Sequence, residues 1–424
     1  MTVASAVATE RHPAQRRSVT VLSLATVLGG LGIGASISAG ALLIVDVTAS
    51  DALSGFGSTM NAVGAAAAGI PLARYAARRG RRVALTTGNL IALLGALLVI
   101  VAAGMGSGPL LFAGLGVLGT GSAVQLQARF AATDLATPAN RARDLSLVVW
   151  SITIGAVIGP NLITPGEVIG DALGVPGLAG VFVFSAVAQL AAGCVVWFGL
   201  RPDPLLEARR IEHERLAALV ESPSGAASTQ PTASGRAAGS LAAQWLTITV
   251  IALAHAVMVG LMAVTPLHIT HHGGSITVVG LTISMHIAGM YALSPVFGIL
   301  AGRFGSIPVI ATGIVVLALS AVGTGFGGGS MLVIQTALVL LGLGWGMVTV
   351  AGAAHLTAVT PVQHRPRRQG QSDTSMNAAG ALFGAVSGAI FAVGGFGLLS
   401  AVAGGLLLLG AAATVALARQ RRSG

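Results

Sequence analysis

Arginine marks every second gap between the apolar stretches of this chain, and that alternation constrains the fold more than any other feature. Runs of about 20 mostly apolar residues are long enough to cross a hydrocarbon core about 30 Å thick. Reading for them predicts twelve segments, starting near Val19, Ala52, Val83, Pro109, Leu145, Pro176, Ala243, Ser275, Pro308, Met331, Thr374 and Phe396. The chain has no lysine, so all 23 basic residues are arginine. They fall at Arg11, Arg16 and Arg17 before the first segment, Arg74 to Arg82 after the second, and Arg129, Arg141 and Arg143 after the fourth. The rest are Arg201 to Arg236 after the sixth, Arg303 after the eighth, Arg365 to Arg368 after the tenth, and Arg419 to Arg422 at the end. By the positive-inside rule both termini are expected in the cytoplasm. A missed or extra helix would break the alternation.

Composition supports the same class. With 54% hydrophobic and 8% charged residues, the chain is too apolar for an ordinary soluble domain. The net charge of +10 is therefore a topology signal, with attraction to the anionic lipid bilayer as a secondary effect, and nucleic acid is not an expected partner. A single cysteine, Cys194, excludes an internal disulfide and any CxxC metal motif. The first apolar run follows a basic tail as a signal peptide would, but it exceeds 20 residues and matches a later segment, so it is read as retained. No nucleophile with its base and no phosphate-binding loop appears, so neither enzyme activity nor a cofactor is expected.

One register relates the two halves. Arg78-Arg79-Gly80 matches Arg303-Phe304-Gly305 at an offset of 305 − 80 = 225 residues. The same offset carries Gly119-Thr120-Gly121 onto Gly344-Trp345-Gly346, and Gly155-Ala156-Val157-Ile158-Gly159 onto Gly380-Ala381-Leu382-Phe383-Gly384. It also carries Met60-Asn61-Ala62-Val63-Gly64 onto Met285-His286-Ile287-Ala288-Gly289. The expected fold class is an all-α membrane protein of twelve transmembrane helices in two parallel six-helix repeats. Its divisions are a cytoplasmic tail 1–18, an N-terminal half 19–200, a linker 201–242, a C-terminal half 243–417 and a tail 418–424. The linker starts amphipathic over Leu205 to Val220, then becomes rich in Ser, Ala and Gly, a composition that predicts disorder.

Within the C-terminal half, Met258 and Met262 lie four residues apart in the seventh segment, and His286 and Met290 four apart in the eighth. Residues at that spacing share one helix face. Thioether and imidazole without carboxylate favour a soft ion such as Cu(I), because Mg, Ca and Mn prefer oxygen. With an outer loop from His268 to Ser275, Met258 and His286 lie about 15 and 16 Å deep, near the midplane. Met262 then lies outside them and Met290 inside, as a ladder. Methionine in a membrane helix is usually a space-filler, whereas a histidine at that depth tends to face a cavity or a partner. The offset partners of His286 and Met290 are Asn61 and Ala65, and those of Met258 and Met262 are Ile33 and Ile37, so the ligand set belongs to one half alone.

Other candidates carry two readings each. His255 is a lower relay ligand or hydrogen-bonds a neighbouring helix. His268, His271 and His272 capture metal in the outer loop or are solvated there. Asp134, Asp144 and Asp373 fall near inner ends, where pairing with Arg129, Arg141 or Arg143 is expected, and no acid is expected mid-segment.

The run Ala73-Arg74-Tyr75-Ala76-Ala77-Arg78-Arg79-Gly80-Arg81-Arg82 resembles the loop signature of the major facilitator superfamily, with Ala77 where an acid is usual and Gly302 in the equivalent place. Gly155 to Pro160 resembles that superfamily's fifth-helix motif, often linked with exporters. The MxxxM followed by HxxxM is similar to the CcoA-type copper importers, which supply copper for cytochrome oxidase assembly in bacteria. That resemblance implies copper as cargo, Met258 and His286 as the principal pair, and copper chaperones or oxidase assembly proteins as partners. Importers of riboflavin in the same group lack the combined motif. An organic cargo such as riboflavin, or drug or metabolite export, is the alternative.

Overall fold

A computed structural model of the chain describes residues 12–49, 53, 56–158, 162–221, 240–271, 273, 276–327 and 329–423, and these contain helices and turns with no strand among them. The N-terminal half comprises α1 (Pro13–Thr48), α2 (Phe56–Arg79), α3 (Arg81–Gly104), α4 (Gly108–Leu118) and α5 (Thr120–Ala131). It continues with α6 (Arg141–Ile158), α7 (Ile163–Leu173), a 3-10 turn Gly177–Gly180 and α8 (Val181–Gly199). The linker holds α9 (Pro204–Glu221). The C-terminal half comprises α10 (Leu241–His271), α11 (Ile276–Tyr291), α12 (Ser294–Phe304), α13 (Ser306–Phe326), α14 (Met331–Val359) and α15 (Arg365–Ser423). Among the described residues, eight helical stretches are long and apolar enough to cross a membrane.

Helix boundaries follow local chemistry. Pro13 opens α1, where its missing N–H costs nothing, and His12 Nδ1 accepts from the Ala14 N–H at 3.2 Å. The helix thus starts ahead of the expected Val19, and part of the expected tail 1–18 is packed: buried Gln15 donates to the Ala132 carbonyl and to Asp144, both at 2.7 Å. The α2–α3 and α12–α13 turns use Gly80 at φ 90° and Gly305 at φ 91°. Such a backbone favours glycine, so the 225-residue register recurs as geometry. The eleventh and twelfth expected segments lie in α15, interrupted by non-helical Gly394 and Gly395, the latter at φ 59°.

The outer loop expected from His268 is displaced. His268 is buried near the end of α10, its ring 4.6 Å from Phe396 and 6.2 Å from Phe391. These aromatic contacts give the imidazole a packed place inside the bundle. The His271 side chain, His272 and Ser275 lie outside the described residues, as does the linker over 222–239.

The two halves meet closely at the arginine-rich end of the bundle. A side chain at Gly69 would strike Thr374, one at Gly370 would strike Ala73, and one at Gly298 would strike Ser146. Thr374 Oγ1 donates to the Ala66 carbonyl at 3.2 Å. Phe130, Ala142, Leu145 and Val149 of the N-terminal half join the apolar core of the C-terminal half. Small residues let backbones approach there, the usual basis of helix packing in lipid.

At that same end α9 lies on the N-terminal half. Asp203 caps it by accepting from the Leu205 and Leu206 N–H groups, and it also accepts from Arg82 N–H at 2.7 Å. Arg209 Nη1 donates to the Ala77 carbonyl at 2.6 Å. The hydrogen bond from Arg210 holds the Glu207 carboxyl below its ordinary range.

Candidate functional site

The C-terminal half builds its centre from α10, α11 and α14. The α11 and α14 backbones nearly touch: a side chain at Gly342 would strike the His286 carbonyl, and one at Gly289 would stand 2.9 Å from the Val339 carbonyl. This closeness directs the His286 side chain. Its Nδ1 lies 2.8 Å from the Leu338 carbonyl, and its Nε2 is buried with no protein partner. A carbonyl only accepts, so Nδ1 carries the proton and Nε2 keeps its lone pair.

Met258 and Met290 are 5% and 7% exposed and belong to one apolar core with Leu338 and Leu341, with Met262 packed against it. His255 is engaged elsewhere: its Nδ1 accepts from Trp345 Nε1 at 2.9 Å. Of the two readings for His255, the hydrogen bond to a neighbouring helix is the one the geometry displays. Trp345 also meets Tyr291 edge to face at 5.6 Å, tying α10, α14 and α11 together.

Arg129 Nη2 donates to Asp373 Oδ1 at 2.7 Å, and both side chains are buried. The expected pairing of Asp373 with Arg129 is therefore present, as a buried link from α5 to α15. Asp134 pairs instead with Arg81, at 2.8 Å, and Arg81 Nη2 also donates to Gln369 of α15. Asp144 accepts the Gln15 amide described above, because α1 extends far enough to bring that amide against it. Sequence reading missed Arg81 and Gln369 as partners, since nothing local joins residues 53 and 288 positions apart. The carboxylate absent at Ala77 has a counterpart in Asp203, against which any side chain at Gly80 would collide.

In the N-terminal half, Asn61 occupies the place of His286 in the repeat and accepts from Ser122 Oγ at 2.9 Å. An open groove of about 500 Å³ runs along α2, α4 and the start of α5, lined by Met60, Gly64, Phe112, Gly116 and Thr120 among others. Among the described residues, no group of three or more His, Cys, Asp or Glu side chains is placed to hold a metal ion. Any metal bound here would draw on thioethers.

Comparison with known proteins agrees with this architecture. The family model of the Major Facilitator Superfamily matches residues 22–276 and 246–424. The uncharacterized MFS-type transporter YdeG of Bacillus subtilis (strain 168) is 37% identical, over 93% of this chain and 90% of its own. The riboflavin transporter RfnT of Brucella anthropi is 31% identical, over 90% of this chain and 89% of its own. Among solved structures, the human organic anion transporter MFSD10 (TETRAN) superposes with a TM-score of 0.74 at 15% identity, covering 95% of this chain and 100% of its own, a likeness of fold alone. With its helical repeat, its glycine turns and these matches spanning both halves, the chain belongs to the major facilitator superfamily, a multi-pass membrane transporter and not an enzyme.

Proposed function

We propose that this transporter imports copper as Cu(I), through a thioether and imidazole site of α10 and α11. The observation that carries this reading is His286. A metal-binding histidine characteristically gives its other ring N–H to a carbonyl or carboxylate, which fixes the tautomer and aims the lone pair. The Leu338 carbonyl does this for Nδ1 and leaves Nε2 buried and unpartnered.

Depth supports pairing Met258 with His286. The His286 backbone abuts Gly342, three residues before Trp345, and Met258 lies three residues after His255, which Trp345 bonds. Each step is about 4.5 Å along its helix. Because α10 and α14 run in opposite directions, both steps point the same way, and Met258 and His286 share a level. The soft donor set disfavours divalent ions that want several oxygens. In a bacterial inner membrane with both termini cytoplasmic, a monovalent cation moving inward gains about 2.3 kcal/mol per 100 mV, so uniport is energetically sufficient.

A small organic cargo is the second reading. The similarity to a riboflavin transporter favours it, as does the apolar lining of the open groove along α2 and α4.

Thermal unfolding of the purified chain separates the two. A ligand at a hundredfold excess over Kd stabilises the folded state by about 2.7 kcal/mol. Ag(I), a redox-inert stand-in for Cu(I), is expected to raise the melting temperature of the parent but not of the Met258→Ala, His286→Ala variant. A shift with riboflavin that persists in that variant, with none from Ag(I) in the parent, would replace the copper reading by the organic one.

A further inference from the structure

Three arginines open three helices at the arginine-rich end of the bundle: Arg81 is the first residue of α3, Arg141 of α6 and Arg365 of α15. A helix N-terminus carries a partial positive charge, so acidic residues are the ones it favours. These guanidiniums gather around one buried carboxylate, Asp134. Arg81 bonds it at 2.8 Å, and the Asp134 charge acts on both Arg141 and Arg365. Arg81 and Arg141 stand in the N-terminal half, Arg365 in the C-terminal half. We propose that these three arginines form a site for a phosphate-type oxyanion, which pins the two halves together at this end. The proposal goes beyond copper import and does not depend on the cargo.

The charge balance leaves an excess. Asp373, within reach of the Arg81 charge, is already paired with Arg129. Glu212 of α9 acts on Arg365, but three guanidiniums then still face two carboxylates. Arg365 repels both Arg141 and Arg81. Arginine does not shed its proton in proteins, so the excess is not removed by neutralising a side chain. A buried charge without compensation is costly.

Donors for such an ion are free. Arg81 is fully buried, and its Nε and Nη2 go to Asp134 and Gln369, while Nη1 has no partner. Arg141 Nε is likewise buried without a partner, and the charges acting on Arg141 reach it through space rather than through a hydrogen bond. Arg365 Nε donates to the Thr360 carbonyl at 3.2 Å, which anchors its guanidinium. Guanidinium N–H groups in a fixed fork match the oxygens of a phosphate, and the three helix N-termini add to the attraction. Arg141 keeps part of its surface exposed, which gives the anion a way in from water. Inorganic phosphate and the headgroup of an anionic lipid offer this same chemistry.

The test is thermal unfolding of the full-length purified chain, first in neutral detergent with inorganic phosphate. At saturation the parent should gain about 3 °C or more in melting temperature, and chloride at the same ionic strength should give much less. Arg141→Gln removes one of three mutually repelling charges, so without phosphate it should melt no lower than the parent, and it should show no phosphate shift. Arg365→Gln forfeits the bond to Thr360, so its own phosphate-free value is the baseline. From that baseline its shift should vanish too, because the ion bridges the halves. Arg303→Gln, at an exposed arginine of α12, should respond as the parent does. A second arm replaces phosphate by nanodiscs of phosphatidylcholine with or without phosphatidylglycerol. A gain with phosphatidylglycerol that Arg141→Gln abolishes identifies a lipid headgroup as the source, and a gain with phosphate alone identifies the free ion. Equal gains from phosphate and chloride, a shift retained in Arg141→Gln or in Arg365→Gln, or no gain in either arm would overturn the proposal.

Discussion

Arg129 of α5 and Asp373 of α15 form a buried ion pair, Nη2 to Oδ1 at 2.7 Å, that joins the two halves of the transporter. Removing one partner of such a pair strands a charge and typically costs about 3–5 kcal/mol. Arg129→Gln or Asp373→Asn should therefore each lower the melting temperature clearly. The double variant should lose much less than the sum, and strictly additive losses would show that the two side chains do not act as a pair.

For the site, Met258→Ala or His286→Ala is expected to abolish copper accumulation in cells, while Met262→Ala or Met290→Ala weakens it. Protein levels must be followed by immunoblot, since deleting a buried methionine side chain can itself cost about 2–5 kcal/mol. Normal uptake by a well-expressed Met258→Ala, His286→Ala double variant would remove the assignment.

Protons should compete with the metal. Imidazole binds metal only when neutral, and thioether does not titrate. Ag(I) affinity of the parent is thus expected to weaken as the pH falls, and His286→Met should flatten the profile. A parent profile already flat from about pH 8 to about pH 5, the span in which histidine ordinarily changes charge, would exclude His286 as a ligand.

Close packing of α11 on α14 can be probed at a single atom. Gly342→Ala places a methyl group against the His286 carbonyl, whereas Gly388→Ala meets nothing within 4 Å. Overpacking of this kind costs about 1–3 kcal/mol. Gly342→Ala should lower both stability and metal affinity by displacing His286, and Gly388→Ala should change neither. Equal behaviour of the two would mean that the approach of these helices does not position the histidine.

Orientation is open to labelling. In a Cys194→Ser background, Ser275→Cys is expected to react with an impermeant reagent added outside intact cells, and Ser228→Cys only after the membrane is opened. Reaction of both from outside would overturn the orientation drawn from arginine alternation.

The class, the near positions of the apolar segments and the repeat were legible before any contact was known, because these depend on costs paid locally. Each apolar run must cross lipid as a unit, and arginine is excluded from its middle whatever its neighbours are. The turns at Gly80 and Gly305 were legible for the same reason, since a φ near 90° is set by the residue itself. The Met258, Met262, His286 and Met290 pattern was likewise visible from helical spacing. Tertiary structure decided what these side chains meet. Helices that are apolar all round carry no stripe to show which face turns inward, so nothing in the sequence could tell that His255 would bond Trp345 or that His268 would pack on Phe396. The same holds for the aim of His286 at Leu338 and for the reach of Arg129 across 244 residues to Asp373. Those contacts exist because glycines such as Gly342 and Gly69 let particular backbones come close, and the rotation of each helix about its axis is settled only when all of its neighbours are in place.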